Sequence, residues 1–224
     1  MGDHARHDAV RRSYDTVAEE YTDRLHDELA GKPLDRALLA ALLEETGPGA
    51  TVADLGCGPG HVAAWLAENG AARTVGIDLS PGMVEAGRRR FGDRVEFRRG
   101  DLLGLPAGDG EFGAAVALYT LIHLAPDELR PALDEAARVL RPSGLLLLSF
   151  HAGEEVRHMD TWWGHAVDVD FRFLDPARTA ELAESAGFRV EMRMERGPYA
   201  HEAETRRAYL LARRDAGPGG AQRE

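Results

Sequence analysis

Cysteine is almost absent from this chain. Cys57 is the only one in 224 residues, which excludes an internal disulfide and a cysteine-cluster metal site, and a reducing, cytoplasmic setting is expected. Long apolar runs are missing too. A membrane helix needs roughly 18 apolar residues, whereas the longest run, "GLLLLSF" at Gly144–Phe150, has strand length. "MGDHARHDAVRR" carries charges but no apolar core, so no secretory signal is visible. Positive charge is in short supply. With a net charge of −11 the chain lacks the electrostatic footprint of a nucleic-acid binder, and neither nucleic acid nor membrane is expected as a partner. Lysine is nearly missing, with Lys32 standing alone beside 26 arginines. The arginine runs Arg88–Arg90 and Arg98–Arg99 read as solvated ends of elements.

Glycine, by contrast, is concentrated where it can matter. "VADLGCGPGH", Val52–His61, places Gly56, Gly58 and Gly60 at alternate positions after an apolar run ending near Asp54. Around this loop, strands and helices alternate. Strands are expected at Thr51–Leu55, Thr74–Ile77, Val95–Arg99, Phe112–Leu118 and Gly144–Phe150. Helices are expected at Val62–Ala67, from "SPGM" onward with Ser80 as N-cap and Pro81 at the first position, at Pro126–Leu140, and at Pro176–Ala186. Arg189–Glu195 and Thr205–Ala212 read as a closing antiparallel pair. Such alternation predicts an α/β, doubly wound, Rossmann-like sheet with helices on both faces. Two further helices, about Ala9–His26 and Leu34–Glu45, precede it. The first carries Tyr14, Val17, Ala18 and Tyr21 on one face, suited to packing on the sheet edge or capping a ligand at its rim. Met1–His7 and the tail "DAGPGGAQRE" are expected to be disordered.

Ligands of such sheets bind outside the carboxyl ends of the strands. Bare glycines there permit a tight turn and close approach of a ligand to backbone. Two ligand classes compete. The dinucleotide fingerprint G-x-G-x-x-G seats a pyrophosphate on a helix N-terminus, but this loop reads G-x-G-x-G, with His61 where the third glycine belongs. Asp54 would repel a pyrophosphate and attract an amino group or sulfonium. Asp78, 24 positions after Asp54, ends the second strand where an acid can hold ribose hydroxyls, a role NAD would share. Asp101 in "GDLLGLP" could meet an adenine amino group, with Leu102 against the ring.

Taken together, "VADLGCGPGH", "VGIDLSPGMVEAGRRR", "EFRRGDLLGLP", "ALYTLIHL" and "ALDEAARVLRPSGLLLLSF" resemble the class I S-adenosylmethionine-dependent methyltransferases, most of all bacterial small-molecule enzymes of quinone and antibiotic biosynthesis. The resemblance spans about residues 14–213 and implies a seven-stranded, mostly parallel sheet with an antiparallel last strand. It implies an N-terminal helical cap over 1–46, a methyltransferase domain over 47–214 with an acceptor-pocket insertion at about 151–175, and a tail over 215–224. By that resemblance Asp54, Gly56 and Gly58 line the methionine end of S-adenosylmethionine, Asp78 holds the ribose, and Leu79, Asp101 and Leu102 meet the adenine. Tyr119 lies close to the sulfonium. The fourth strand departs from the common pattern, because relatives carry an acid about where Gly113 or Ala114 stands and the nearest here is Glu111.

Methyl transfer needs a base only if the attacking atom must lose a proton. His123, His151, His158 and His165 lie in segments that could reach the acceptor, and His123 in "YTLIHL" and His151 in "LLSFH", which follow rim strands, are the catalytic candidates. The insertion "HMDTWWGHAVDVDFRFLD" offers Trp162, Trp163 and His165 as acceptor-binding residues, together with Tyr14, Tyr21 and Phe171. Asp168 and Asp170 alternate onto one solvated face, so no metal is assigned to them with His165. A small organic acceptor is expected, methylated on oxygen, nitrogen or carbon. The alternatives are a peptide or protein acceptor, a non-catalytic cofactor-binding protein, and an NAD-dependent oxidoreductase.

Overall fold

The computed structural model describes residues 3–216. Nine strands and six helices follow in order: α1 Asp3–Leu25, α2 Pro33–Thr46, β1 Thr51–Leu55, α3 His61–Glu68, β2 Arg73–Asp78, α4 Pro81–Phe91, β3 Glu96–Arg99, β4 Phe112–Leu118, α5 Leu129–Val139, β5 Leu140–His151, β6 Val156–Trp162, β7 His165–Arg172, α6 Pro176–Ser185, β8 Phe188–Arg196 and β9 Arg207–Arg214. Seven strands form one sheet in the order β3-β2-β1-β4-β5-β9-β8, and β6 and β7 form a separate hairpin. Only β9 runs against its neighbours, pairing antiparallel with both β5 and β8.

Side-chain alternation splits the buried strands between two cores. In β5, Leu145 and Leu147 join one face with Leu39, Leu42 and Leu66 from α2 and α3. Leu146, Leu148 and Phe150 join the other with Leu129, Leu133 and Ala183 from α5 and α6. An unbroken leucine run is what a strand covered on both faces requires. Strand β1 divides likewise, with Val52 on the α2 side and Ala53 and Leu55 on the α5 side.

Helix α1 lies outside this sandwich and ties α4 to the hairpin. Val17 and Ala18 are buried against Met83 of α4, with Tyr14, Tyr21, Trp162 and Val167 packed around them. Asp15 fastens the same contact, accepting bonds from Ser80 Oγ at 2.6 Å and the Gly82 amide at 3.0 Å. Ser80 in turn accepts from the Met83 amide, so the positive end of α4 carries a hydroxyl cap and a carboxylate.

Several expectations need correction. Residues 3–7 are the first turn of α1, held by ion pairs from Arg6 and His7 to Glu128. Pro126 does not open α5; residues 125–128 form a turn in which Glu128 bends back to accept from the Ala125 amide, and the helix starts at Leu129. Strand β5 begins at Leu140, because Phe112 pairs with Leu140 before a register shift restores the ladder at Leu145. Residues 1, 2 and 217–224, with most of the expected tail, lie outside the described residues. No described helix is long and apolar enough to cross a membrane.

Candidate active site

The carboxyl ends of β3, β2, β1, β4 and β5 and the amino end of β9 form one continuous rim, and a cavity of about 920 Å³ follows it. That is near the top of the roughly 300–1,000 Å³ span of small-ligand sites. Asp101, Asp78, Asp54, Tyr119, His151 and Arg207 line it in strand order. Helix α1 and the β6–β7 hairpin roof it through Tyr14, Tyr21, Trp162 and Trp163.

The glycine loop is built for contact with a ligand. Gly56 (φ 72°) and Gly58 (φ 53°) are in the left-handed region, where a Cβ is strained. A Cβ on Gly56 would stand 1.9 Å from Thr120 Oγ1. One on Gly58 would touch the Tyr21 ring at 3.8 Å. His61, in the place of a third dinucleotide glycine, opens α3 and stands 3.6 Å from Glu28.

Two buried acids bracket the loop. Asp78 accepts the Gly58 amide at 2.7 Å and the Ser80 amide at 2.8 Å. Burial raises its carboxyl, those backbone donors lower it and the Asp15 charge raises it, leaving it at about 6. Asp54 is 2% exposed, and its Oδ2 is a buried oxygen without a hydrogen-bond partner. Burial, only partly offset by the Ala63 amide and reinforced by Asp78, pushes Asp54 up to about 7. An orphaned carboxylate beside bare glycines fits a cationic amino group and does not fit a pyrophosphate. At the β3 end of the rim, Leu79 and Leu102 line the cavity, while Asp101 accepts from the Leu103 amide and meets His7 Nδ1 at 3.0 Å. These residues would hold the adenosine and methionine parts of S-adenosylmethionine.

Beyond the loop, Tyr119 occupies the left-handed region (φ 56°), uncommon for an aromatic residue and a sign of strain held at a site. Its amide bonds to Ser149 O at 2.8 Å, and its ring lies 4.9 Å below Lys32 Nζ and 5.1 Å from the His151 ring.

Both candidate bases, His123 and His151, line the cavity. His123 Nδ1 stands 3.0 Å from the Asp170 carbonyl, which can only accept, so Nδ1 carries the proton. Nε2 is then the acceptor, and it receives the Tyr14 hydroxyl at 2.7 Å. Burial lowers His123 to about 4. His151 pairs Nδ1 with Thr205 Oγ1 at 2.9 Å and stacks on Phe173. Burial first, then the charges of Arg207, Lys32 and Arg157, bring it to about 4 as well. At neutral pH both imidazoles are neutral and weak proton acceptors.

The aromatic roof is continuous. Tyr14, Tyr21 and Trp162 meet edge to face at 5.5–6.0 Å, and Phe171 adds an edge contact to Trp162 at 5.6 Å. His165 is not brought into the cavity; it faces Glu20 at 3.0 Å with its side chain 43% exposed. His158 is exposed and bonds to Asp170. Glu111, the nearest acid to the departed position on β4, is bound to Arg98 and the Gly108 amide outside the cavity wall. Sequence reasoning missed Lys32, Arg207 and Glu202, which come together from the α2 entrance and the β8–β9 loop. The one available signal was that Lys32 is the only lysine in the chain.

A seven-stranded sheet of this order, with Asp54, Asp78 and Asp101 along its rim, is a Rossmann-like fold with a ligand cavity at the strands' carboxyl ends. Residues 52–144 match the family model described as a methyltransferase domain. The chain has the fold of the S-adenosylmethionine-dependent methyltransferases. It is similar to the 1,6-didemethyltoxoflavin-N1-methyltransferase of Burkholderia thailandensis, solved with that substrate and S-adenosylhomocysteine, at 25% identity and TM-score 0.73 over 96% of this chain and 91% of the other. A second structure, magnesium protoporphyrin IX methyltransferase of Synechocystis with bound cofactor, shares the fold at TM-score 0.72 and 19% identity, covering 94% of this chain and 97% of that one. Among curated sequences, the demethylmenaquinone methyltransferase of Clavibacter sepedonicus is 41% identical over 102 residues, 45% of this chain and 40% of that protein. The chain spans about two-fifths of the length of the curated relatives it matches.

Proposed function

We propose that this protein transfers a methyl group from S-adenosylmethionine to a small organic acceptor. The observation that carries the reading is the unpartnered Asp54 oxygen beside Gly56 and Gly58, at the head of a cavity roofed by aromatic rings. The cofactor supplies an electrophilic methyl on a sulfonium, and the protein must orient the acceptor and exclude water. Asp54 would neutralise the amino group of the methionine end. Asp78 and Asp101 would hold ribose and adenine. Tyr14, Tyr21 and Trp162, packed on one another over the loop, would keep the reacting region dry.

The enclosed roof favours a small acceptor over a peptide or protein segment. Support also comes from the toxoflavin and demethylmenaquinone enzymes, whose printed names specify small acceptors. The methyltransferase domain boundaries, 47–214 with the N-terminal cap, are part of the proposal, as are the cofactor roles of Leu79, Leu102 and Tyr119. Calorimetric titration tests the reading. S-adenosylhomocysteine is expected to bind at micromolar or better affinity, with NAD showing no binding; the reverse order would establish the oxidoreductase alternative.

A further inference from the structure

Past Tyr119, the rim continues over β5 and β9, about 5 and 10 Å further along at ordinary strand spacing. The residues suited to the cofactor sit on β1, β2 and β3, on the other side of Tyr119. Lys32, His151 and Arg207 converge on the far end. Each lines the cavity, and the Lys32 and Arg207 side chains are 9% and 5% exposed.

Charges at this end balance overall, but hydrogen-bonding capacity does not. Glu202 accepts from Arg196 at 2.6 and 2.9 Å and from the Tyr199 amide at 2.8 Å, three of the roughly four bonds a carboxylate can take. Asp35 accepts the Tyr209 hydroxyl at 3.1 Å and faces Arg196 at 3.5 Å. Glu28 is shared between Lys32 at 2.6 Å and His61. Donors are what remain. Arg207 gives Nη1 to the Ala203 and Thr205 carbonyls, and its buried Nε stands 3.2 Å from Glu202 without a hydrogen bond. Lys32 has one carboxylate for three N–H donors. Buried donors without acceptors are costly, so a ligand that belongs here brings an acceptor, and beside two cations an anionic one.

We propose that the Lys32–His151–Arg207 end of the cavity binds an ionised oxygen of the methyl acceptor, while Tyr14, Trp162 and Phe171 hold its apolar ring. The acceptor class is thus an aromatic or quinonoid organic acid: a phenol, enol or carboxylic acid recognised in its anionic form. The inference rests on the methyltransferase reading only for where the cofactor lies. The same cations could instead hold the carboxylate of the cofactor's methionine, and the test separates the two sources.

The test is calorimetry on the full chain loaded with S-adenosylhomocysteine. The probes are 2-hydroxy-1,4-naphthoquinone, an enolate at neutral pH, and its uncharged 2-methoxy ether. The enolate is expected to bind at least tenfold more tightly than the ether. Lys32→Met and Arg207→Met are each expected to remove most of that preference and leave S-adenosylhomocysteine affinity within threefold of wild type. Equal binding of the two probes, or binding of neither, overturns the proposal, and wild-type protein alone decides this should a variant fail to fold. A variant that weakens S-adenosylhomocysteine tenfold but leaves 5′-methylthioadenosine unchanged assigns the cations to the cofactor carboxylate and also overturns it. Failure of wild-type protein to bind S-adenosylhomocysteine at all would instead sink the methyltransferase reading.

Discussion

Replacing Asp54 by Asn is expected to make the cofactor-free protein more stable and cofactor binding worse. In the fold this carboxyl sits at about 7. In an unfolded chain it sits near 3.9. The folded state therefore holds its proton over a window where the unfolded state has released it. The contribution of Asp54 to stability is most favourable at and below about pH 4, falls as pH rises through the window, and is least favourable above about 7. The roughly three pH units between the two values correspond to about 4 kcal/mol of destabilisation at pH 8. Asn avoids this cost and weakens the bond from the Ala63 amide, a loss of about 1 kcal/mol. The net gain of about 3 kcal/mol raises the melting temperature of a chain this size by roughly 6–12 °C. Differential scanning fluorimetry of wild type and D54N at pH 5 and pH 8, without ligand, reads it directly. The difference should be present at pH 8, shrink by pH 5, and be accompanied by at least a tenfold loss of S-adenosylhomocysteine affinity. A variant melting at or below wild type at pH 8 would refute the assignment of Asp54 as a strained, ligand-awaiting carboxylate.

Two further substitutions probe the roof and the loop. Tyr14→Phe removes the hydrogen bond to His123 Nε2 and is expected to cost about 1–3 kcal/mol in urea unfolding, with a His123 imidazole signal altered in NMR. No change in either would mean the pair is not formed. Gly56→Ala meets both a left-handed backbone and Thr120, and is expected to abolish cofactor binding; Thr120→Gly in the same chain should recover part of the lost stability, leaving about 1–2 kcal/mol of backbone strain. Simple additivity of the two substitutions would contradict the close contact.

Local chemistry made much of this fold legible in the sequence. Thr51–Leu55 and Phe112–Leu118 end where glycines or a turn replace apolar residues, and their limits agree with the strands. Ser80 and Asp175 act as the N-caps their neighbours require. Legibility failed where long-range contacts decide. The start of α5 depends on Glu128 returning to the Ala125 amide and on its pairing with Arg6, 122 residues away. The positions of His123 and His151 after rim strands gave no sign of the burial that lowers both imidazoles to about 4. His165 has the right composition and the right strand but turns toward Glu20 on α1. Lys32 and Arg207, 175 positions apart, meet only because β9 inserts between β5 and β8.

The most direct test of the account is transfer of label from methyl-labelled S-adenosylmethionine in an extract of small metabolites, with and without added protein and nucleic acid. The account predicts label in the low-molecular-weight, solvent-extractable fraction and its loss in D54N. Label found only in precipitable protein or nucleic acid, or no transfer to any fraction, would contradict it.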